Sequence, residues 1–182
     1  MGRATPRLDP RIETERLVLR PPDETDLDCI VAEINDFDVV RMLARVPFPY
    51  SRGDAEEFLA WSRSSREDLN LVVARDDRAI GCMALADINA TREFGYWLGQ
   101  PHWRQGLASE ASRAFLAYCF AELGDVAIRA GAYVDNPTSL RVQEKLGFER
   151  AGLSHKHSLA RRADVAHIDT VLTRAGFEEA TQ

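Results

Sequence analysis

Residues 94–111 read F-G-Y-W-L-G-Q-P-H-W-R-Q-G-L-A-S-E-A: an apolar strand run stops at a turn, and a glycine-marked loop opens onto a helix. The first N–H groups of a helix have no partner within it, and the aligned peptide dipoles favour negative charge there. A strand, turn and helix in this order can therefore cradle a phosphate-bearing ligand, with Gly106 permitting close backbone approach. A second constellation follows at Asn136–Phe148, where Asn136-Pro137-Thr138-Ser139 opens a short helix that Gly147 closes. Pro137 suits an early helical position, and Asn136, Thr138 or Ser139 caps the end.

Other reactive side chains point to less. Cys29, Cys82 and Cys119 are too few and too scattered for a disulfide framework or a four-ligand zinc site, and read as small hydrophobes. His155 and His157 share one face of a strand, with His167 further on and no cysteine close by. That spacing suits the rim of a site better than a metal, and no metal is expected. No Ser-His-Asp or Cys-His arrangement has a context that supports covalent catalysis.

The elements that must position these residues follow from period and punctuation. Residues 1–10, with Pro6 and Pro10, read as a flexible tail, leaving 11–182 as one domain. Glu15–Arg20 is a strand stopped by Pro21-Pro22, after which Asp23 and Asp26 open a helix carrying Leu27, Ile30, Val31 and Ile34. Ser51 and Asp54 open a second helix, with Ala55, Phe58, Leu59 and Ser62 on one side; the intervening Val46–Tyr50 is irregular. Leu69–Arg75 and Ala79–Leu85 form a hairpin across Asp76-Asp77-Arg78, and Thr91–Leu98 is the next strand. Gly106–Leu123 is the longest helix; Val126–Val134 is a strand and Thr138–Leu146 a short helix. Phe148–Leu153 and Val165–Leu172 close the series, with an added strand around His157–Leu159. This order predicts an α/β or α+β domain on one central sheet.

Composition narrows the class. The formal charge of −6 leaves no general nucleic-acid footprint, and 45% apolar with 29% charged residues is ordinary for a soluble globular protein. No signal-peptide core and no membrane-length apolar run is present, so a cytoplasmic location is expected. A dinucleotide-binding fold would need a tight glycine loop after an early strand, where this chain has Pro21-Pro22.

Taken together, Trp103-Arg104-Gln105-Gly106-Leu107-Ala108 resembles the acyl-CoA pyrophosphate loop of the GCN5-related N-acetyltransferase (GNAT) superfamily. Gly95-Tyr96-Trp97-Leu98 before it and Glu110-Ala111 after it resemble the branch that acetylates the N-termini of ribosomal proteins. Asn136-Pro137-Thr138-Ser139 with Glu144-Lys145-Leu146-Gly147-Phe148 is similar to that branch's second signature. The likeness runs from Arg16 to Arg174; Trp103 departs from the superfamily pattern but is common in the branch.

The resemblance implies a mixed, mostly antiparallel sheet with helices on both faces and splayed central strands. It implies acetyl-CoA as cosubstrate, with backbone groups of Trp97 and Leu98 on the pantetheine arm. The loop and helix start from Arg104, Gln105 and Gly106 through Leu107, Ala108 and Ser109 would hold the pyrophosphate, and Asn136 the pantetheine arm or its loop. Ser139 stands where this branch protonates the departing thiolate; no tyrosine follows Tyr133 to take that part. The attacking amine must be neutral, so a base is needed. The resemblance points to Glu93, with an ordinary solvated strand position as the alternative, Asp87 in reserve and His102 behind it. A backbone N–H near Leu98 would hold the oxyanion. Trp61 and Phe58 are open between groove lining and core.

The acceptor is a primary amine, most readily a protein N-terminal α-amine. A small-molecule amine such as a polyamine or aminoglycoside, or a non-catalytic acyl-CoA-binding protein, is the alternative. Glu24, Glu33, Asp36, Asp38, Glu56 and Glu57 near the first helices would suit a basic acceptor. Neither membrane nor direct nucleic-acid binding is expected; a homodimer is compatible with the family.

Overall fold

The computed structural model describes Leu8 and residues 10–182; the expected tail over 1–10 lies almost wholly outside the described residues. β3 (Leu69–Arg75) and β4 (Arg78–Ala86) form the anticipated hairpin, but its turn is two residues long and Arg78 already belongs to the strand. Asp76 and Asp77 have φ of 50° and 62°. Such left-handed values match the twist of the flanking strands, and aspartate adopts them more readily than branched residues do.

Six further strands complete one sheet. β2 (Val18–Arg20) and β1 (Ile12–Glu13) lie outside β3, and β5 (Glu93–Leu98) pairs with β4. β6 (Ile128–Tyr133), β7 (Glu149–Ser158) and β8 (Ala163–Leu172) give the order β1-β2-β3-β4-β5-β6-β8-β7. Every pairing is antiparallel except β5 with β6, which meet at the single register pair Glu93–Arg129. The Arg129 N–H donates to the Arg92 carbonyl at 2.9 Å. Past that point the two strands part, giving the splayed centre that the family resemblance implied.

Alternating side chains of the central strands feed two cores. Val72 and Cys82 meet α1 (Leu27–Ile34), α2 (Phe37–Val40) and α3 (Arg52–Ser64), whose Leu27, Ile30, Val40, Ala55 and Leu59 are buried. Leu71, Met83, Leu85 and Phe94 face the other way. They meet Leu107, Phe115, Leu116 and Phe120 of α4 (Leu107–Leu123), Leu146 and Phe148 after α5 (Pro137–Lys145), and Phe177 of α6 (Arg174–Thr181). Glu93, Gly95 and Trp97 therefore share the α1–α3 face, while Phe94, Tyr96 and Leu98 share the α4 face.

Both acidic caps form. Asp23 and Asp26 make a capping box on a 3-10 turn leading into α1, and the buried Asp26 carboxylate also takes two bonds from Arg20 at 2.7 and 2.8 Å. Ser51 and Asp54 make the same device at α3. The differences from sequence expectation are local. The strand expected at Glu15–Arg20 shortens to β2, because Thr14 N–H turns back to the Leu17 carbonyl and releases β1 as a partner. The expected strand pieces at 148–153 and 157–159 are one strand, β7, which absorbs an extra residue as a bulge between Arg150 and Gly152. Helices α2 and α6 were not anticipated: α2 is too short to show a period, and Phe177 is the one buried residue of α6.

Candidate active site

A cleft of about 1200 Å³ enters between the parted strands and reaches from α3 to the starts of α4 and α5. Glu93, Trp97, Leu98, Arg104, Gly106, Leu107, Ala108, Ser109, Asn136 and Ser139 all line it. Gln105 does not. Its amide is turned outward, donating to the Pro101 carbonyl and accepting from Arg75 Nη1, and its own carbonyl accepts from Arg16 Nη1.

The loop before α4 owes its shape to two left-handed residues, Arg104 (φ 60°) and Gly106 (φ 77°). A Cβ on Gly106 would meet nothing closer than Arg16 Nη2 at 3.5 Å. Glycine is required there for its backbone conformation rather than for room. Around the loop, Glu110 in the first turn of α4 accepts from Thr14 Oγ1 (2.6 Å), Arg16 N (2.9 Å) and Arg16 Nε (2.7 Å), tying β1–β2 to the helix start. Trp103 spans the loop by donating its indole N–H to the Leu98 carbonyl at 2.8 Å. The loop is thus braced by Arg16, Glu110 and Trp103, and Gly106, Leu107, Ala108 and Ser109 at the α4 start line the cleft.

At the centre, Asn136 is the residue that caps α5, its Oδ1 accepting from Ser139 N–H at 3.2 Å. That frees the Ser139 hydroxyl. Its Oγ lies 3.1 Å from the Tyr96 hydroxyl and accepts from Gln143 Nε2 at 3.3 Å. Gln143 is buried and its amide is pinned at both ends: Nε2 also donates to the Gly131 carbonyl (3.0 Å), and Oε1 accepts from Thr170 Oγ1 (2.7 Å). Burial pushes the Tyr96 phenol up to about 12, against a smaller opposing pull from Ser139, so it stays a protonated donor at neutral pH. Tyr96 and Gln143 were missed by sequence reasoning, which looked for a tyrosine only after Tyr133. Strand alternation held the signal, since Tyr96 is two residues from Phe94 and on the same face.

On the α1–α3 side the Glu93 carboxylate is paired with Lys156 Nζ and, at 3.4 Å, with Arg45 Nη2. Tyr50, Asp54, Glu57, Phe58 and Trp61 form the opposite wall. Phe58 and Trp61 thus line the cleft, with ring centroids 6.3 Å apart. His167 also lines it, and its Nδ1 lies 2.8 Å from Asp169 Oδ1. Burial lowers the His167 pKa below 6.5, outweighing the pull of Asp169. The segment that bears Arg45 is fastened by Arg161: its Nε donates to the Arg41 carbonyl, and its Nη atoms bond Asp135, which Arg41 also reaches. Arg161 holds the Asp135 carboxyl below the usual range.

Several expected residues fall elsewhere. Asp87 is away from the cleft, its carboxylate taken by Thr91 N–H (3.0 Å) and Oγ1 (2.8 Å), so it serves the turn before β5. His102 lines the cleft but lies 3.5 Å from the Glu33 carboxylate. His155 and His157 are exposed on the outer face of β7, His157 beside Asp164; the residue between them, Lys156, is the one that faces the cleft. Of the acidic residues expected at the groove, Glu57 alone lines it, while Glu24, Glu33 and Glu56 pair with Arg63, His102 and Arg52. Burial raises the thiols of Cys82 and Cys119, which suits inert packing residues. Among the described residues no group of three could hold a metal ion, and no helix is long and apolar enough to cross a membrane.

The sequence and the fold have counterparts among known proteins. The family profile described as an acetyltransferase (GNAT) domain matches residues 16–149. The uncharacterized N-acetyltransferase YoaA of Bacillus subtilis is 30% identical over 155 residues, covering 81% of this chain and 88% of its own. The ribosomal-protein-serine acetyltransferase of Escherichia coli is 32% identical over 81 residues, covering 42% of this chain and 45% of its own. Among solved structures, spermidine N-acetyltransferase from Vibrio cholerae in complex with CoA and spermine superposes with a TM-score of 0.78. That match is 21% identical and covers 91% of this chain and 99% of the other. The chain belongs to the GNAT acetyltransferase family and is an acetyl-CoA-dependent N-acetyltransferase.

Proposed function

We propose that the protein transfers the acetyl group of acetyl-CoA to a protein N-terminal α-amine, with Glu93 as general base and Ser139 as general acid. The observation that carries this reading is one cleft with Glu93 on one side of the parted strands and the Ser139–Tyr96 pair on the other. The main chain at Gly106, Leu107, Ala108 and Ser109 is suited to the pyrophosphate, and Trp97, Leu98 and Asn136 to the pantetheine arm. The amine enters from the α3 side and loses a proton to Glu93 as it attacks the thioester carbon. A backbone N–H near Leu98 steadies the oxyanion. Ser139 gives its proton to the sulfur as the C–S bond breaks, and the Tyr96 phenol can replace it.

Charge favours a peptide over a polyamine. A polyamine needs carboxylates along its length, whereas Glu93 is shared by Lys156 and Arg45, leaving Asp54 and Glu57 as the acidic lining of α3. The named relative from Escherichia coli acts on a ribosomal protein, which agrees with this choice. Thiol release from acetyl-CoA against N-terminal peptides, spermidine and aminoglycosides tests it. Peptide turnover is the expected result. Turnover with spermidine alone would move the acceptor to small amines, and CoA binding without any turnover would make the protein a non-catalytic acyl-CoA binder.

A second reading of the base has its own support. His167 is oriented by Asp169, is held neutral by burial and lines the same cleft. If it is the base, His167→Gln lowers kcat more than Glu93→Gln and removes the acid limb of the pH profile.

A further inference from the structure

The chain carries 21 arginines but two lysines, Lys145 and Lys156. One of these two amines stands inside the acceptor half of the cleft. Lys156 reaches in from β7, and its Nζ is paired with the carboxylate of Glu93. An amine acceptor must arrive at this place, against this carboxylate, for the proposed reaction to run. Arginine would hold the same ion pair and could not be acylated under these conditions, since its guanidinium keeps its proton. Lysine at this position brings a nucleophile where its neighbours bring only charge.

We propose that Lys156 is an acetylation site of the protein itself: without an amine substrate, its Nζ accepts the acetyl group from acetyl-CoA bound in the same cleft. The inference rests on Glu93 as the base. The step balances without a further reagent. Glu93 takes a proton from the Lys156 ammonium and passes it to solvent, and the freed lone pair attacks the thioester carbon. The C–S bond breaks, and the thiolate takes the Ser139 proton. The second proton shed by nitrogen restores Ser139 through Glu93 and solvent. The products are Nε-acetyl-Lys156 and CoA. Acetylation removes the lysine charge. Glu93 then keeps Arg45 as its cationic partner, and the acyl chain occupies the end of the cleft where an amine would enter.

The second lysine is a built-in control. Lys145 ends α5 and also lines the cleft, but six residues of helix, about 9 Å, separate it from Ser139. Uncatalysed acetylation by acetyl-CoA falls on both lysines, whereas the cleft chemistry selects one.

The experiment starts from protein shown by intact mass to be unmodified. It is incubated with acetyl-CoA alone, and the peptides bearing Lys145 and Lys156 are followed by mass spectrometry. One acetyl group on Lys156 is expected, added at least about tenfold faster than on Lys145, since a positioned amine reacts as an intramolecular group. The rate should not depend on protein concentration, and a saturating peptide acceptor should slow it. Glu93→Gln and Gly106→Val should each abolish the selectivity. Equal labelling of both lysines, or selective labelling that persists at full rate in both variants, would overturn the proposal. Peptide turnover that depends on Glu93 while Lys156 stays bare also overturns it and leaves the proposed function standing. Labelled Lys156 with no turnover of any peptide supports the site and removes the peptide acceptor.

Discussion

The two ends of the cleft are made of different materials. At the end proposed for the acetyl donor, the lining at the start of α4 is made by small residues, Gly106, Ala108 and Ser109, after the left-handed Arg104, and the loop is fastened by Arg16, Glu110 and Trp103. At the acceptor end it is long side chains from separate segments, with Lys156 from β7, Arg45 from the loop after α2, Glu57 and Trp61 from α3, and His167 from β8. A surface of small residues costs little conformational entropy to present once the fold exists, whereas each long side chain must be held in place by partners. The donor end is therefore suited to one invariant ligand. The acceptor end is a set of exchangeable ion pairs that a few substitutions could re-aim without disturbing the sheet.

That contrast can be broken at either end. The largest effect is expected from Glu93→Gln, which should lower kcat by about 10²–10⁴-fold with acetyl-CoA affinity nearly unchanged; calorimetry beside steady-state kinetics checks both halves. An equal loss of CoA affinity would mean that the two ends are not separable. Next comes Gly106→Val, which forces a branched residue to φ near 77°. A strain of about 1–3 kcal/mol should appear as roughly tenfold or greater weakening of acetyl-CoA binding, or as a lower Tm if the loop refuses to reshape. Gln143→Leu leaves the Thr170 hydroxyl and the Gly131 carbonyl without their bonds. It should cost about 1–3 kcal/mol in denaturant unfolding and shift kcat through Ser139 rather than through CoA affinity.

The smallest effect is a pH dependence at the acceptor end. The folded pKa of His167 is lowered below 6.5, so the unfolded chain takes up a proton there that the folded protein resists. This contribution is absent well above pH 6.5, and stability falls as pH drops from 6.5 through the folded pKa. His167→Gln should flatten that part of a Tm-against-pH curve while leaving the curve above it unchanged.

The same division explains what could be read without coordinates. The strand–loop–helix at Leu98–Leu107, the Asn136 cap and the two capping boxes are short-range patterns, in which neighbours in sequence are neighbours in space. The residues expected to hold the cosubstrate come to line one cleft for that reason, except Gln105, which Arg75 and Pro101 turn outward, partners that no local pattern names. The acceptor side depends on pairings across many residues. Lys156 of β7 meets Glu93 of β5 although β6 and β8 lie between those strands in the sheet, and Arg45 reaches the same carboxylate from a loop that Arg161 fastens. Lys156 went unremarked between two histidines that looked more reactive. Asp87 read as a spare base because its engagement with Thr91 cannot be told from its position alone.

The parting of β5 and β6 has a consequence for the life of the protein before it meets its cosubstrate. Past Glu93 each strand has an inner flank that its neighbour does not pair, which is an unprotected sheet margin inside the molecule instead of at its rim. Such margins invite any extended chain to dock. In the proposed function a bound pantetheine arm fills this breach as a surrogate strand. Acetyl-CoA should therefore act as a solubility factor as well as a reactant: protein concentrated or heated without it should self-associate sooner than protein kept saturated with it.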